Sequence, residues 1–195
     1  MEKEKIDLSR RRFLRYATGA FAAVGALFAS IPFLASWLPS ARARAAGAPV
    51  EVDLSRLEPG EMMTVEWRGR PVWLIRRTQE MIDQLAKPNV KLRDSESRVQ
   101  QQPTYATNPH RSIKKEYLIL VGICTHLGCS PTYMPAIGSL GSDWPGGFYC
   151  PCHGSTFDLA GRVYTGVPAP INLEVPPHHY VADYKVIIGE NSKNA

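Results

Sequence analysis

The sequence predicts a mostly β domain carried on one N-terminal transmembrane helix. Three observations predict it. Residues Tyr16 to Leu38 hold 23 residues without a charge. Short apolar or alternating runs broken by Pro and Gly follow from Val50 onward. Two Gly-rich turns, Cys124-Thr125-His126 and Cys150-Pro151-Cys152-His153, then bring Cys and His together at ligand spacing.

The first 15 residues carry six Lys/Arg and three acids, and Ser9-Arg10-Arg11-Arg12-Phe13-Leu14 reads as a twin-arginine export signal. The apolar run 16–38 is long enough at 1.5 Å per residue to cross about 30 Å of hydrocarbon. A secretory h-region needs only about 7–15 residues. The positive N-terminal flank places the N-terminus inside and the C-terminal domain outside. Arg42 and Arg44 beyond the span weaken that asymmetry without reversing it. Ala41-Arg42-Ala43 and Ala43-Arg44-Ala45 resemble cleavage sites, so a removed signal is the competing reading, and length favours a retained anchor. Pro32 is tolerable in a membrane helix. The twin-arginine route carries folded proteins, so a cofactor inserted before export fits it.

Residues 39–49 are small and lack an apolar period, which reads as a flexible tether, with a short helical continuation as the alternative. The domain proper spans 50–190 and a tail 191–195. The expected strands are Val50–Asp53, Met62–Trp67, Pro71–Arg76, Tyr117–Ile123, Gly147–Cys150 and Tyr180–Ile188. Trp67-Arg68-Gly69-Arg70-Pro71 reads as a hairpin turn. Thr78 to Leu85 reads as a short helix capped by Thr78, with Met81, Ile82 and Leu85 on one face. Residues 86–116 are polar and irregular and receive no role. Residues 131–147 read as an insertion between the two Cys/His loops. His110, His178 and His179 have no ligand set around them and read as surface or strand-end histidines.

Charge excludes one class of function. The chain carries a net charge of +5, yet from Val50 onward fifteen Lys/Arg balance fifteen Asp/Glu. The excess lies in the signal and its flank, so there is no basic face for nucleic acid. Arg76-Arg77 and Lys114-Lys115 read as solvated strand or loop ends.

The two Cys/His loops carry the chemistry. Two thiolates on one iron and two imidazoles on the other hold a [2Fe–2S] cluster, and the neutral ligands raise its potential. Zinc also takes Cys2His2 sets. The single-residue gap between Cys124 and His126, and the extra cysteines Cys129 and Cys152, favour the cluster. Cys129 and Cys152 are placed to pair across the loops, which needs an oxidising compartment; free thiols are the alternative.

The pair CTHLGC and CPCHG, the twin-arginine anchor and the loop Gly166-Val167-Pro168-Ala169-Pro170 resemble the Rieske iron–sulfur subunits of cytochrome bc complexes (ubiquinol–cytochrome c reductases). Arg76-Arg77-Thr78 is similar to the same family. The resemblance implies a Rieske-type antiparallel β domain with a cluster-binding part at about 118–170. It implies Cys124 and Cys150 on one iron, His126 and His153 on the other, and a Cys129–Cys152 disulfide. It implies a Ser155 hydroxyl bonded to a bridging sulfide and an apolar Leu127 at an exposed tip. Gly128, Gly154, Phe157, Pro168 and Pro170 lie beside the cluster on the same reading. It further implies that His153 bonds ubiquinol and accepts its proton. It implies that the electron passes to a c-type cytochrome, with cytochrome b as the other partner, in a dimeric complex of the bacterial inner membrane whose heads face the periplasm. The alternative is a Rieske subunit of another exported oxidoreductase such as arsenite oxidase.

One position departs from the family. Many members carry Tyr two residues after the serine, donating a hydrogen bond to a ligand sulfur, and this chain has Phe157. A hydrogen bond to a charged group contributes roughly 1.5–3 kcal/mol. For one electron that corresponds to a midpoint roughly 60–130 mV below Tyr-containing relatives. Phe157→Tyr is therefore expected to raise the midpoint potential in protein-film voltammetry, and an unchanged potential contradicts the reading.

Overall fold

The computed structural model describes residues 7–87 and 91–192. The expected export segment 1–15 and the tail 191–195 lie partly outside the described residues. Two units make up the chain, divided at about residue 45.

The N-terminal unit is helical. Helix α1 runs Leu8–Ala35, and the Asp7 side chain caps it by accepting from the Ser9 and Arg10 N–H groups. The helix thus begins eight residues before the apolar run and includes the arginines. It ends three residues before Leu38. None of its side chains is buried by protein. Its hydroxyls are satisfied internally, with Thr18 donating to the Leu14 carbonyl and Ser30 to the Leu27 carbonyl. At 28 residues α1 measures about 42 Å, long enough to cross a bilayer. A six-residue helix α2, Ala41–Ala46, occupies most of the expected tether.

The second unit consists of three antiparallel three-stranded sheets. Its strands are β1 Val50–Asp53, β2 Met62–Trp67, β3 Arg70–Arg76, β4 Tyr117–Val121, β5 Thr132–Met134, β6 Gly147–Cys150, β7 Ser155–Phe157, β8 His178–Ala182 and β9 Lys185–Ile188. Helix α3, Gln79–Ala86, follows β3; Thr78 accepts from the Met81 N–H, and Ile82 and Leu85 are buried.

The sheet β2-β3-β4 lies between two cores. Val72 and Leu74 of β3, with Tyr117, Ile119 and Val121 of β4, pack toward β1, β8 and β9. Trp73 and Ile75, with Leu118 and Leu120, face the opposite core, which includes Cys124, Phe148, Cys150 and Phe157. Burial on both faces explains why β3 and β4 read as continuous apolar runs rather than alternating ones. The β2–β3 turn has positive φ at both Arg68 (54°) and Gly69 (70°), the geometry a two-residue hairpin of this twist requires.

Several expectations need correction. Residues 131–147 are not a detached insertion: β5 pairs with β6, and buried Trp144 donates from Nε1 to the Met134 carbonyl. Strand β5 has only three residues and β7 likewise, too short for an alternating pattern to show. The segment Tyr180–Ile188 is a hairpin, β8 and β9, reversing at Asp183-Tyr184 without a Gly or Asn to mark the turn. Arg77 is not solvated but 3% exposed. His178 is at a strand end as expected, opening β8, but is buried rather than on the surface. The region given no role holds Arg111, the largest fully buried side chain among the described residues. Its backbone also straps the cluster-side unit: the Arg93 N–H donates to the Val163 carbonyl and the Val175 N–H to the Gln101 carbonyl.

Candidate metal centre

The two Cys/His loops are the same turn built twice. The first leaves the end of β4 and the second joins β6 to β7. In each, the Gly four residues after the Cys donates its N–H to the Cys carbonyl: Gly128 to Cys124 at 3.0 Å and Gly154 to Cys150 at 2.9 Å. Both glycines have positive φ, 83° and 77°. A Cβ at either would meet nothing within 4 Å, so backbone conformation rather than crowding selects Gly. The Cys124 N–H returns to the Cys129 carbonyl at 2.7 Å and closes the first loop.

The donors divide by burial. Cys124 and Cys150 are free thiols, each 2% exposed, at the edge of the core. Burial pushes the Cys124 thiol up, while the His126 N–H and the Ser155 hydroxyl pull it back. His153 is exposed and His126 half-buried, with ring centroids 4.7 Å apart and planes at 88°. Leu127 beside them is 71% exposed, so imidazoles and an apolar side chain share the apex.

Cys129 and Cys152 form a disulfide that joins the two loops. The sulfurs of Cys129, Cys150 and Cys152 lie within 4.8 Å of one another, but two of them are the disulfide and cannot ligate. What remains is two thiols on the inner side and two imidazoles on the outer side. That separation of donor types fits a two-iron, two-sulfide cluster, in which thiolates and imidazoles ligate different irons.

The third wall is the loop 166–170. The Ala169 N–H donates to Ser155 Oγ at 3.0 Å, and Thr125 Oγ1 donates to the Ile171 carbonyl at 2.6 Å. The loop is therefore tied to both Cys/His loops. Ala169 is fully buried, whereas Pro168 and Pro170 are exposed, so the alanine seals the wall and the prolines stiffen it from outside. Thr125 and Ala169 were not singled out by sequence; their positions beside Cys124 and between two prolines were the available signals. Phe157 is fully buried opposite Phe148, which stacks on Trp73 at 5.3 Å.

Residues 49–177 match the Rieske [2Fe-2S] domain family, and residues 1–40 match the twin-arginine signal family of ubiquinol–cytochrome c reductase iron–sulfur subunits. The chain is 57% identical to the ubiquinol–cytochrome c reductase iron–sulfur subunit of Allochromatium vinosum, over 100% of this chain and 95% of that one. It is 44% identical to the same subunit of Bradyrhizobium diazoefficiens, over 93% and 94%. A chain of a hyperthermophilic respiratory Complex III is 28% identical over 88% of this chain and 98% of that one, with a TM-score of 0.47.

Fold and site define a Rieske-type [2Fe–2S] electron-transfer protein with a twin-arginine signal and an apolar N-terminal helix, which fit a membrane-anchored exported subunit. The chain belongs to the iron–sulfur subunits of ubiquinol–cytochrome c reductase, the cytochrome bc complex. The arsenite oxidase alternative is not favoured by these relatives.

The disulfide spans 23 residues of sequence. Closing a loop of that length stabilises by about 3 kcal/mol through the unfolded state. Cys129→Ser combined with Cys152→Ser is expected to lower the thermal midpoint at which visible absorbance is lost. An unchanged midpoint contradicts the view that the disulfide holds the two loops at a fixed separation.

Proposed function

We propose that Cys124 and Cys150 ligate one iron and His126 and His153 the other, and that this head is the ubiquinol-oxidising, catalytic part of the complex. The observation that carries this is the division of the donors: two buried reduced thiols inside, two imidazoles at an exposed apex, and the remaining cysteines consumed in a disulfide. When bound, the cluster accepts one electron and gives it up again.

The chain's own residues supply the rest. The exposed His153 imidazole hydrogen-bonds the quinol hydroxyl and holds the proton released as the electron leaves. Leu127 presents an apolar contact to cytochrome b around the quinol. The wall formed by Ala169 excludes water from the inner side, where low dielectric strengthens the interactions of the buried thiolates. Ser155 does two things: its oxygen accepts from the Ala169 N–H, and its hydroxyl lowers the pKa of the Cys124 thiol. Cytochrome c1 then receives the electron.

The anchor at 16–38 holds the head at the bacterial inner membrane, with residues 50–190 on the periplasmic side and the complex dimeric. Helices shorter than about 12 residues are marginal alone in water, so the six-residue α2 can melt and lengthen the tether as the head travels between partners.

An EPR-monitored redox titration of membranes, with and without a quinol-site inhibitor, tests the assignment. The inhibitor is expected to change the line shape of the reduced cluster signal. A line shape indifferent to the inhibitor removes His153 from the quinol site.

A further inference from the structure

Three arginines are buried together beyond the cluster-bearing hairpin: Arg77, Arg111 and Arg162, at 3%, 0% and 5% exposure. One buried carboxylate, Asp158, lies among them. It is already committed. Its Oδ2 accepts from Arg162 Nε at 2.7 Å, and its Oδ1 accepts the Ala160 and Arg162 N–H groups.

Arg77 and Arg111 are held by neutral groups instead. Arg77 donates to the carbonyls of Lys115, His110 and Leu159 and to Ser112 Oγ. Arg111 donates to the carbonyls of Ala160, Gly161 and Leu173 and to Gln102 Oε1. Its Nε has no hydrogen-bond partner among the described residues. The next carboxylate, half-buried Asp94, accepts the Arg98 and Val99 N–H groups. Burial pulls both guanidinia down to about 10, still far above neutrality, so both remain charged. The region thus holds three guanidinia against two carboxylates: Asp158 acts on both Arg77 and Arg111, and Asp94 on Arg111. An apolar plug of similar volume fills such a space at lower electrostatic cost, so packing does not explain the charges.

Their position does. The turn Asp158–Gly161 continues β7, the strand that leaves the second Cys/His loop at Ser155. Ser155 to Ala160 is five residues, at most roughly 16 Å of extended chain. Leu120, Phe157 and Val163 belong to the same buried core as Cys124 and Cys150. Buried charges are screened by salt much less than surface charges.

We propose that the excess positive charge of the buried Arg77 and Arg111 guanidinia acts through this core to favour the reduced cluster, raising its midpoint potential. The inference rests on the ligation assigned above. At about 15 Å and an effective dielectric constant near 20, each charge shifts the electron-transfer equilibrium roughly sixfold, about 47 mV for one electron.

The test is an EPR redox titration on membranes carrying the full complex. Arg77→Gln and Arg111→Gln each lower the midpoint by roughly sixfold in the equilibrium constant. Arg111→Lys, which keeps the charge and loses the fan of hydrogen bonds, leaves it near the wild-type value. Asp158→Asn moves it the other way, upward. Ser112→Asp adds a carboxylate beside Arg77 without emptying its site, and lowers the midpoint even if the arginine variants do not fold. A purely structural role shifts thermal stability while the midpoint of the folded protein stays fixed, or shifts the midpoint in one direction whatever the sign of the charge removed. Either result overturns the proposal. Failure of the ligation itself looks different: the wild-type protein then gives no reduced-cluster signal to titrate.

Discussion

The burial of strands β3 and β4 on both faces is the constraint on which the rest of the second unit depends. Each of β3 and β4 sends alternate side chains into two cores. Neither strand has a solvent face to which its register can slip, because a one-residue shift would exchange the two cores. The register is also crowded shut: a Cβ on Gly122 would lie 2.6 Å from the Trp73 indole nitrogen. Trp73 in turn stacks on Phe148 of β6. The base therefore fixes both the point where the first Cys/His loop begins and the sheet from which the second emerges.

From that base the site is assembled by a few polar ties rather than by further packing. Two copies of one turn set the Cys carbonyls and the Gly amides. The disulfide limits how far the loops can part. Ser155 and Thr125 tie down Ala169 and Ile171 on either side of Pro170. The result is a rigid inner side, where the thiols are buried, and an outer side that carries the exposed and half-buried imidazoles. A group that exchanges electrons and protons at a docking surface needs both: burial to set its potential and exposure to reach its substrate.

The parts of this arrangement that were legible in the sequence are those set by short-range chemistry. Cys124, His126, Cys150 and His153 announce themselves by residue type and spacing, and the Trp67–Pro71 turn and the Thr78 cap follow from local backbone rules. Strands β1, β2 and β6 were readable to the residue because apolar side chains and flanking Pro or Gly bound them. Strands β5 and β7 were not, since three residues cannot display a period and their pairing depends on β6 lying between them. Arg77 and Arg111 were illegible for a different reason. A charged residue reads as exposed until the carbonyls that surround it are known, and those come from residues 33 to 82 positions away. The polar segment before β4 was passed over on the same ground, although its amides and carbonyls complete the cluster-side unit.

The central claim is that two sulfurs and two ring nitrogens of this chain hold one cluster. Pulsed EPR of the reduced protein in the assembled complex reads it most directly. The account predicts couplings from two inequivalent histidine nitrogens, assigned to His126 and His153 by isotope labelling, on a centre that contains two irons. A spectrum without two such nitrogens, or a centre whose metal is zinc, contradicts it.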